Sequence, residues 1–137
     1  MGVEYKQNHT VTNDELNALF RDAWPGPHAD RDFRPVLDRS LGYVCAFENR
    51  ELIGFVNVAW DGGVHAFLLD TTVRSDSRRK GIGRQLVRLA AALAREAGAE
   101  WLHVDFEPHL EDFYRACGFR ESHAGLINLR EGGETPR

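Results

Sequence analysis

The chain has only two cysteines, Cys45 and Cys117, and they do not form a C-x-x-C pair. There is no His/Cys cluster at zinc spacing. The nearest approach, His103 and Asp105 two residues apart, falls short of a ligand set, so no metal is expected. Both thiols are expected to be free, as small buried hydrophobes in a reducing compartment. No apolar stretch approaches the ~20 residues of a membrane span. The opening MGVEYKQNHT lacks the apolar core of a signal peptide and the Ser/Thr at position 6 that favours myristoylation. A cytoplasmic protein is the expectation. Basic residues are not in excess either. Seventeen Lys and Arg against 21 Asp and Glu give a formal net charge of -4, which argues against a nucleic-acid or membrane-surface partner.

What is present fits one globular domain. The 137 residues are 42% hydrophobic and 28% charged, enough to bury a core. VEYKQ (3–7) reads as a short strand. Thr12 or Asn13 can cap a helix whose face carries Leu16, Leu19, Phe20 and Ala23. WPGPHADRDF (24–33) breaks regular structure. Arg34 to Leu41 reads as a second short helix closed by Gly42. YVCAFENRELIGFVNVAW is a hairpin about the turn 48–51, and Asp61-Gly62-Gly63 turns the chain again. VHAFLLDTTV is a strand apolar enough to be central. A helix over 82–97 ends at Gly98. WLHVDF is a strand, Pro108 opens a short helix through Cys117, and AGLINLR is a last strand. The expectation is a mixed α/β (α+β) domain over 1–130, mostly antiparallel with one βαβ crossover, then a polar tail over 131–137.

RRKGIG (78–83) is the odd stretch. Ile82, Leu86, Leu89, Ala90, Leu93 and Ala97 form an apolar stripe, which accounts for the helix but not for its head. Gly81 and Gly83 each cost about 1 kcal/mol against Ala inside a helix. Arg78, Arg79, Lys80 and Arg84 crowd the positive end of the helix dipole, which favours anions instead. A phosphate among them resolves both conflicts, because loop and first-turn N–H groups converge on it. The P-loop pattern GxxxxGK[ST] is absent. Leu86 stands where the third small residue of a dinucleotide fingerprint belongs. The pattern is RxxGxG, between a central strand and a helix.

LLDTTVRSDSRRKGIGRQLV and the downstream FYRACGF together resemble the acetyl-CoA motif and the second motif, FYxxxGF, of the GNAT superfamily of N-acetyltransferases. The resemblance covers roughly residues 43–130, and it implies a central mixed sheet flanked by helices and splayed near the cofactor strand. It implies acetyl-CoA as cosubstrate. The pyrophosphate would rest on N–H groups from Arg79 through Gly81, Ile82 and Gly83 to Arg84. Pantetheine would lie along Thr71, Thr72 and Val73, and Arg78, Arg79 and Lys80 would reach the outer phosphates. A homodimer stays open.

The resemblance also assigns chemistry. Tyr114 matches the motif tyrosine that protonates the departing thiolate, and a phenol keeps its proton to about pH 10. Read from the residues and not from the resemblance, Asp70 is a carboxylate inside the apolar LLDTTV and so a candidate base, with a structural role at a strand bulge as the alternative. Glu107 and His109 lie near the expected cleft, but the Asn often found there is absent, which leaves the base open. Trp24 and Phe33, beside Asp30 and Asp32, would wall an acceptor site suited to a small cationic amine. The implied activity is acetyl transfer to a primary amine of a small molecule. The rivals are a non-catalytic acyl-CoA-binding or sensor domain and a mononucleotide-binding module.

Overall fold

The computed structural model describes residues 2–131. Contacts divide the chain into two compact units, residues 1–104 and 105–137.

The first unit is built on a five-stranded sheet in sequence order. Its strands are β1 (Glu4–Gln7), β2 (Gly42–Glu48), β3 (Glu51–Trp60), β4 (His65–Val73) and β5 (Trp101–His103). All neighbours are antiparallel except β4 and β5, which are parallel. That parallel step needs a crossover, supplied by the helix α3 (Ile82–Glu96). The β2–β3 turn places Asn49 and Arg50 at positive φ (51° and 67°), as a two-residue hairpin turn requires.

Two helices cover one face. α1 (Asn13–Ala23) opens with a capping box in which Thr12 Oγ1 accepts from the Glu15 N–H and Glu15 Oε1 accepts from the Thr12 N–H. Its Leu16, Leu19 and Phe20 pack with Cys45, Phe47, Leu52 and Phe55 of the sheet. α2 (Arg34–Arg39) follows the loop after α1. It ends at Arg39, two residues short of the expected Leu41, and Gly42 does not cap it. Gly42 is instead the first residue of β2, where a Cβ would lie 2.7 Å from Leu93 Cδ1. Close packing of α3 on the opposite face of the sheet, not helix termination, is what glycine serves there.

The second unit holds a 3₁₀ turn (Pro108–Leu110) and α4 (Glu111–Ala116). Tyr114 is its buried residue, 7% exposed. The last strand expected over 124–130 does not form. Asn128 Oδ1 accepts from the Arg130 N–H and the Asn128 carbonyl from the Glu131 N–H, which turns the chain there. Leu126, Ile127 and Leu129 are 84%, 67% and 87% exposed. Apolar spacing alone supplied no ladder partner. From residue 132 on, the expected polar tail lies outside the described residues.

Candidate active site

The site in the first unit grows from a defect in β4. The register slips between Phe55 and Asn57 of β3, so that Asp70 and Thr71 together face Val56. Asp70 takes a left-handed φ of 57°, which makes this a bulge and re-aims the strand after it. The bulge reading and the candidate-base reading of Asp70 thus describe one position. Asp70 opens to solvent, yet the protein around its carboxyl raises its pKa above the ordinary value of 3.8, by desolvation against a smaller opposing pull from Arg31.

The β4–β5 ladder ends at Phe67↔His103. Beyond it, Leu68–Val73 has β3 on one side and, among the described residues, no strand on the other. Thr72 and Val73 pair with Phe55 and Gly54 of β3. Backbone groups of Thr71 to Val73 therefore border an open edge of the sheet.

The glycine turn follows. After a 3₁₀ turn at Ser75–Ser77, Gly81 caps α3 with φ 79°, and no side chain caps the helix. The Ile82 and Gly83 N–H groups begin the helix, where no acceptor exists four residues back. A Cβ on Gly81 would meet nothing within 4 Å, so the conformation, and not a clash, calls for glycine. Ile82 itself is 3% exposed, so it can offer only its backbone to a ligand. Arg79, at φ 64°, and Lys80 and Arg84 are exposed. An uncapped helix start among exposed cations is suited to a phosphate group.

Arg78 and Arg74 are committed elsewhere. Arg78 Nη2 donates to the Ala23 carbonyl at 2.6 Å. Arg78, read from the sequence as a phosphate ligand, ties α1 to the turn through this bond. Arg74 is held by Glu51 and Asp76. Asp22 adds a second tie, accepting from both the Ser75 N–H (2.7 Å) and Oγ (2.9 Å). Trp24 Nε1 donates to Thr72 Oγ1 at 3.2 Å, and Thr72 Oγ1 donates to the Asp70 carbonyl at 2.8 Å.

Two asparagines of α1 shape the loop 24–33. Asn17, 5% exposed, donates to the Asn13 and Arg31 carbonyls and accepts from the Arg31 N–H and His28 Nε2. Asn13 donates to Asp32 and accepts from the Phe33 N–H. Sequence reasoning missed both, although their i,i+4 spacing beside the apolar stripe was a signal. The acidic acceptor wall needs correcting. Asp30 is taken by Arg21 at 2.6 Å and Asp32 by Asn13 and the Arg34 N–H. Phe33 is 2% exposed, in the core against Phe20, whereas Trp24 is 47% exposed.

In the second unit, Tyr114 sits in an aromatic cage. Phe106 stacks on it at 4.7 Å, and Phe113 and Phe119 meet it edge-on at 4.9 and 5.7 Å. Glu107 and His109 are exposed at the 3₁₀ turn that precedes α4.

Residues 12–119 match the acetyltransferase (GNAT) family. The chain belongs to that family. A probable glucosamine 6-phosphate N-acetyltransferase from Oryza sativa subsp. japonica is 31% identical over 83 residues, covering 61% of this chain and 46% of its own length. The chain therefore spans less than half the length of that relative. A GNAT family acetyltransferase from Streptococcus pneumoniae superposes with a TM-score of 0.78 at 22% identity, over 95% of this chain and 99% of that one. AAC(6')-Iy, solved with a CoA-containing bisubstrate analogue, gives 0.73 at 18% identity over 93% and 97%. The mixed, mostly antiparallel open sheet with flanking helices is the GNAT fold. No helix among the described residues is long and apolar enough to cross a membrane.

Proposed function

We propose that this GNAT protein moves an acetyl group from acetyl-CoA to a primary amine of a small molecule by direct transfer. The observation that carries the reading is the uncapped start of α3 at Gly81, directly after the bulged, open-edged end of β4. N–H groups of Ile82 and Gly83, with Arg79, Lys80 and Arg84, would hold the cosubstrate's phosphates. The open edge at Thr71, Thr72 and Val73 would pair with its pantetheine amides, as a strand pairs with an edge.

The chemistry follows from the remaining groups. An ammonium cannot attack, so the acceptor must first lose a proton. Asp70, with its pKa raised by desolvation, is a better base than an ordinary carboxylate. The amine nitrogen then bonds to the thioester carbonyl carbon, and N–H groups on the β4 edge stabilise the oxyanion. The C–S bond breaks as the nitrogen gives up its second proton to solvent, and the thiolate would be protonated by a phenol, the role the family motif gives Tyr114, which would regain its proton from solvent. The aromatic cage limits how the Tyr114 ring can turn, which suits a positioned acid.

An amine panel assayed for free CoA tests this. Release of CoA that depends on both acetyl-CoA and an amine supports it. Acetyl-CoA binding with no amine-dependent release would instead support a non-catalytic acyl-CoA-binding domain, and binding of ATP or NAD alone a nucleotide module.

A further inference from the structure

The loop 24–33 presents a cation, not the acidic wall its composition suggests. Its two carboxylates are engaged, Asp30 by Arg21 and Asp32 by Asn13 and the Arg34 N–H. Between them stands Arg31. Its guanidinium lies 4.6 Å over the Phe33 ring and 5.8 Å from that of Phe20. The residue is exposed, and no carboxylate forms a salt bridge with it among the described residues. Its backbone is fixed at both ends of the peptide, since buried Asn17 accepts from its N–H and donates to its carbonyl, each at 2.9 Å. Two rings below and a locked backbone aim a cation that no carboxylate among the described residues bridges directly.

Its loop is anchored on the end of β4. Trp24, on the same loop, is tied through Thr72 to the Asp70 carbonyl. Arg31 is the charged side chain that acts on the Asp70 carboxyl. A site holding a base for the amine and an exposed guanidinium with no salt bridge among the described residues has two opposite charges to offer an acceptor. A guanidinium presents paired N–H donors that match a carboxylate or phosphate.

We infer that Arg31 is the specificity-determining residue of the acceptor site, and that the acceptor carries an anionic group, carboxylate or phosphate, beside its amine. This rests on the transferase reading above. It departs from the small cationic amine that the loop's composition suggests.

The test uses matched amines. α-Amino acids are compared with their amides for the carboxylate, and phosphoethanolamine with ethanolamine for the phosphate, each by kcat/KM for CoA release. Wild type should favour the anionic member of at least one pair by roughly tenfold or more. The pair that shows it identifies the anion. Arg31→Met, which keeps bulk over the rings, should bring that ratio close to one. Arg31→Lys should keep part of it. A residue that only covers Phe20 and Phe33 would change thermal stability and leave the ratio alone. If amines are acetylated but wild type shows no anionic preference, or Arg31→Met retains it, the inference fails and the transferase reading stands. If acetyl-CoA binds and neither neutral nor anionic amines release CoA, both fall.

Discussion

The Trp24 indole N–H donates to Thr72 Oγ1 across 48 residues, joining the end of α1 to the strand that leads into the glycine turn. Asp22 and Arg78 make the neighbouring ties, to Ser75 and the Ala23 carbonyl. The last turn of α1 thus holds the turn proposed to carry the cosubstrate's phosphates.

Asp22→Ala removes the acceptor of two of those bonds. Hydrogen bonds to an exposed charged group are worth about 1 kcal/mol net. We expect KM for acetyl-CoA to rise about fivefold with kcat little changed, since the turn is loosened in ground and transition states alike. Steady-state kinetics decide this, and an unchanged KM would mean the turn keeps its shape without α1.

Gly81→Ala isolates a backbone cost. Nothing surrounds its Cβ position, so only the left-handed φ of 79° opposes the change. Left-handed backbone costs an L-residue about 1–2 kcal/mol, and urea unfolding should show a loss of that size. Gly81→Asn should lose less, because Asn tolerates this region. Equal stability for all three would refute the conformational role.

Asp70→Asn tests the raised carboxyl through pH. The folded pKa lies above the ordinary 3.8, so between the two values the folded state holds a proton that the unfolded state has released. Stability from this group is greatest below 3.8 and falls as pH rises through that window. Asn cannot titrate. Thermal melts across acid pH should therefore show wild type losing stability relative to the variant as pH rises. Parallel profiles would mean the carboxyl is not raised. If Asp70 is also the base, the variant loses the acidic limb of the kcat/KM profile.

Much of this was legible in the sequence, for reasons that differ by residue. Gly81 and Gly83 among cations at a helix head conflict with helix physics, and that conflict announced the turn. Asp70 stood out as a charge in an apolar strand. The ties of Arg78 to Ala23 and Asp22 to Ser75 were hidden, because a bond across some 50 residues leaves no local pattern. The acidic loop misled for a related cause. Composition shows Asp30, Arg31 and Asp32 side by side, but only the folded partners, Arg21 and Asn13, show that the two carboxylates are engaged while the arginine lies over the Phe33 ring. The run 124–130 has strand-like residues, yet Asn128 turns it.

Tyr114→Phe keeps the ring in its cage of Phe106, Phe113 and Phe119 and removes one oxygen. If the hydroxyl protonates the thiolate, kcat should drop about 10²–10⁴-fold, with KM for acetyl-CoA nearly constant. Near-normal turnover on a good acceptor would leave Tyr114 a packing residue and assign the proton to solvent.

The central claim, that the turn at the head of α3 binds acetyl-CoA, is tested most directly by calorimetric titration of acetyl-CoA into wild type and Gly83→Glu. Gly83 lies in the first turn of α3, and a carboxylate there would meet the pyrophosphate with like charge. The account predicts saturable binding that weakens as salt rises, and no measurable binding in the variant despite an unchanged circular dichroism spectrum. Binding by Gly83→Glu within threefold of wild type, or affinity flat from low to high salt, would contradict it.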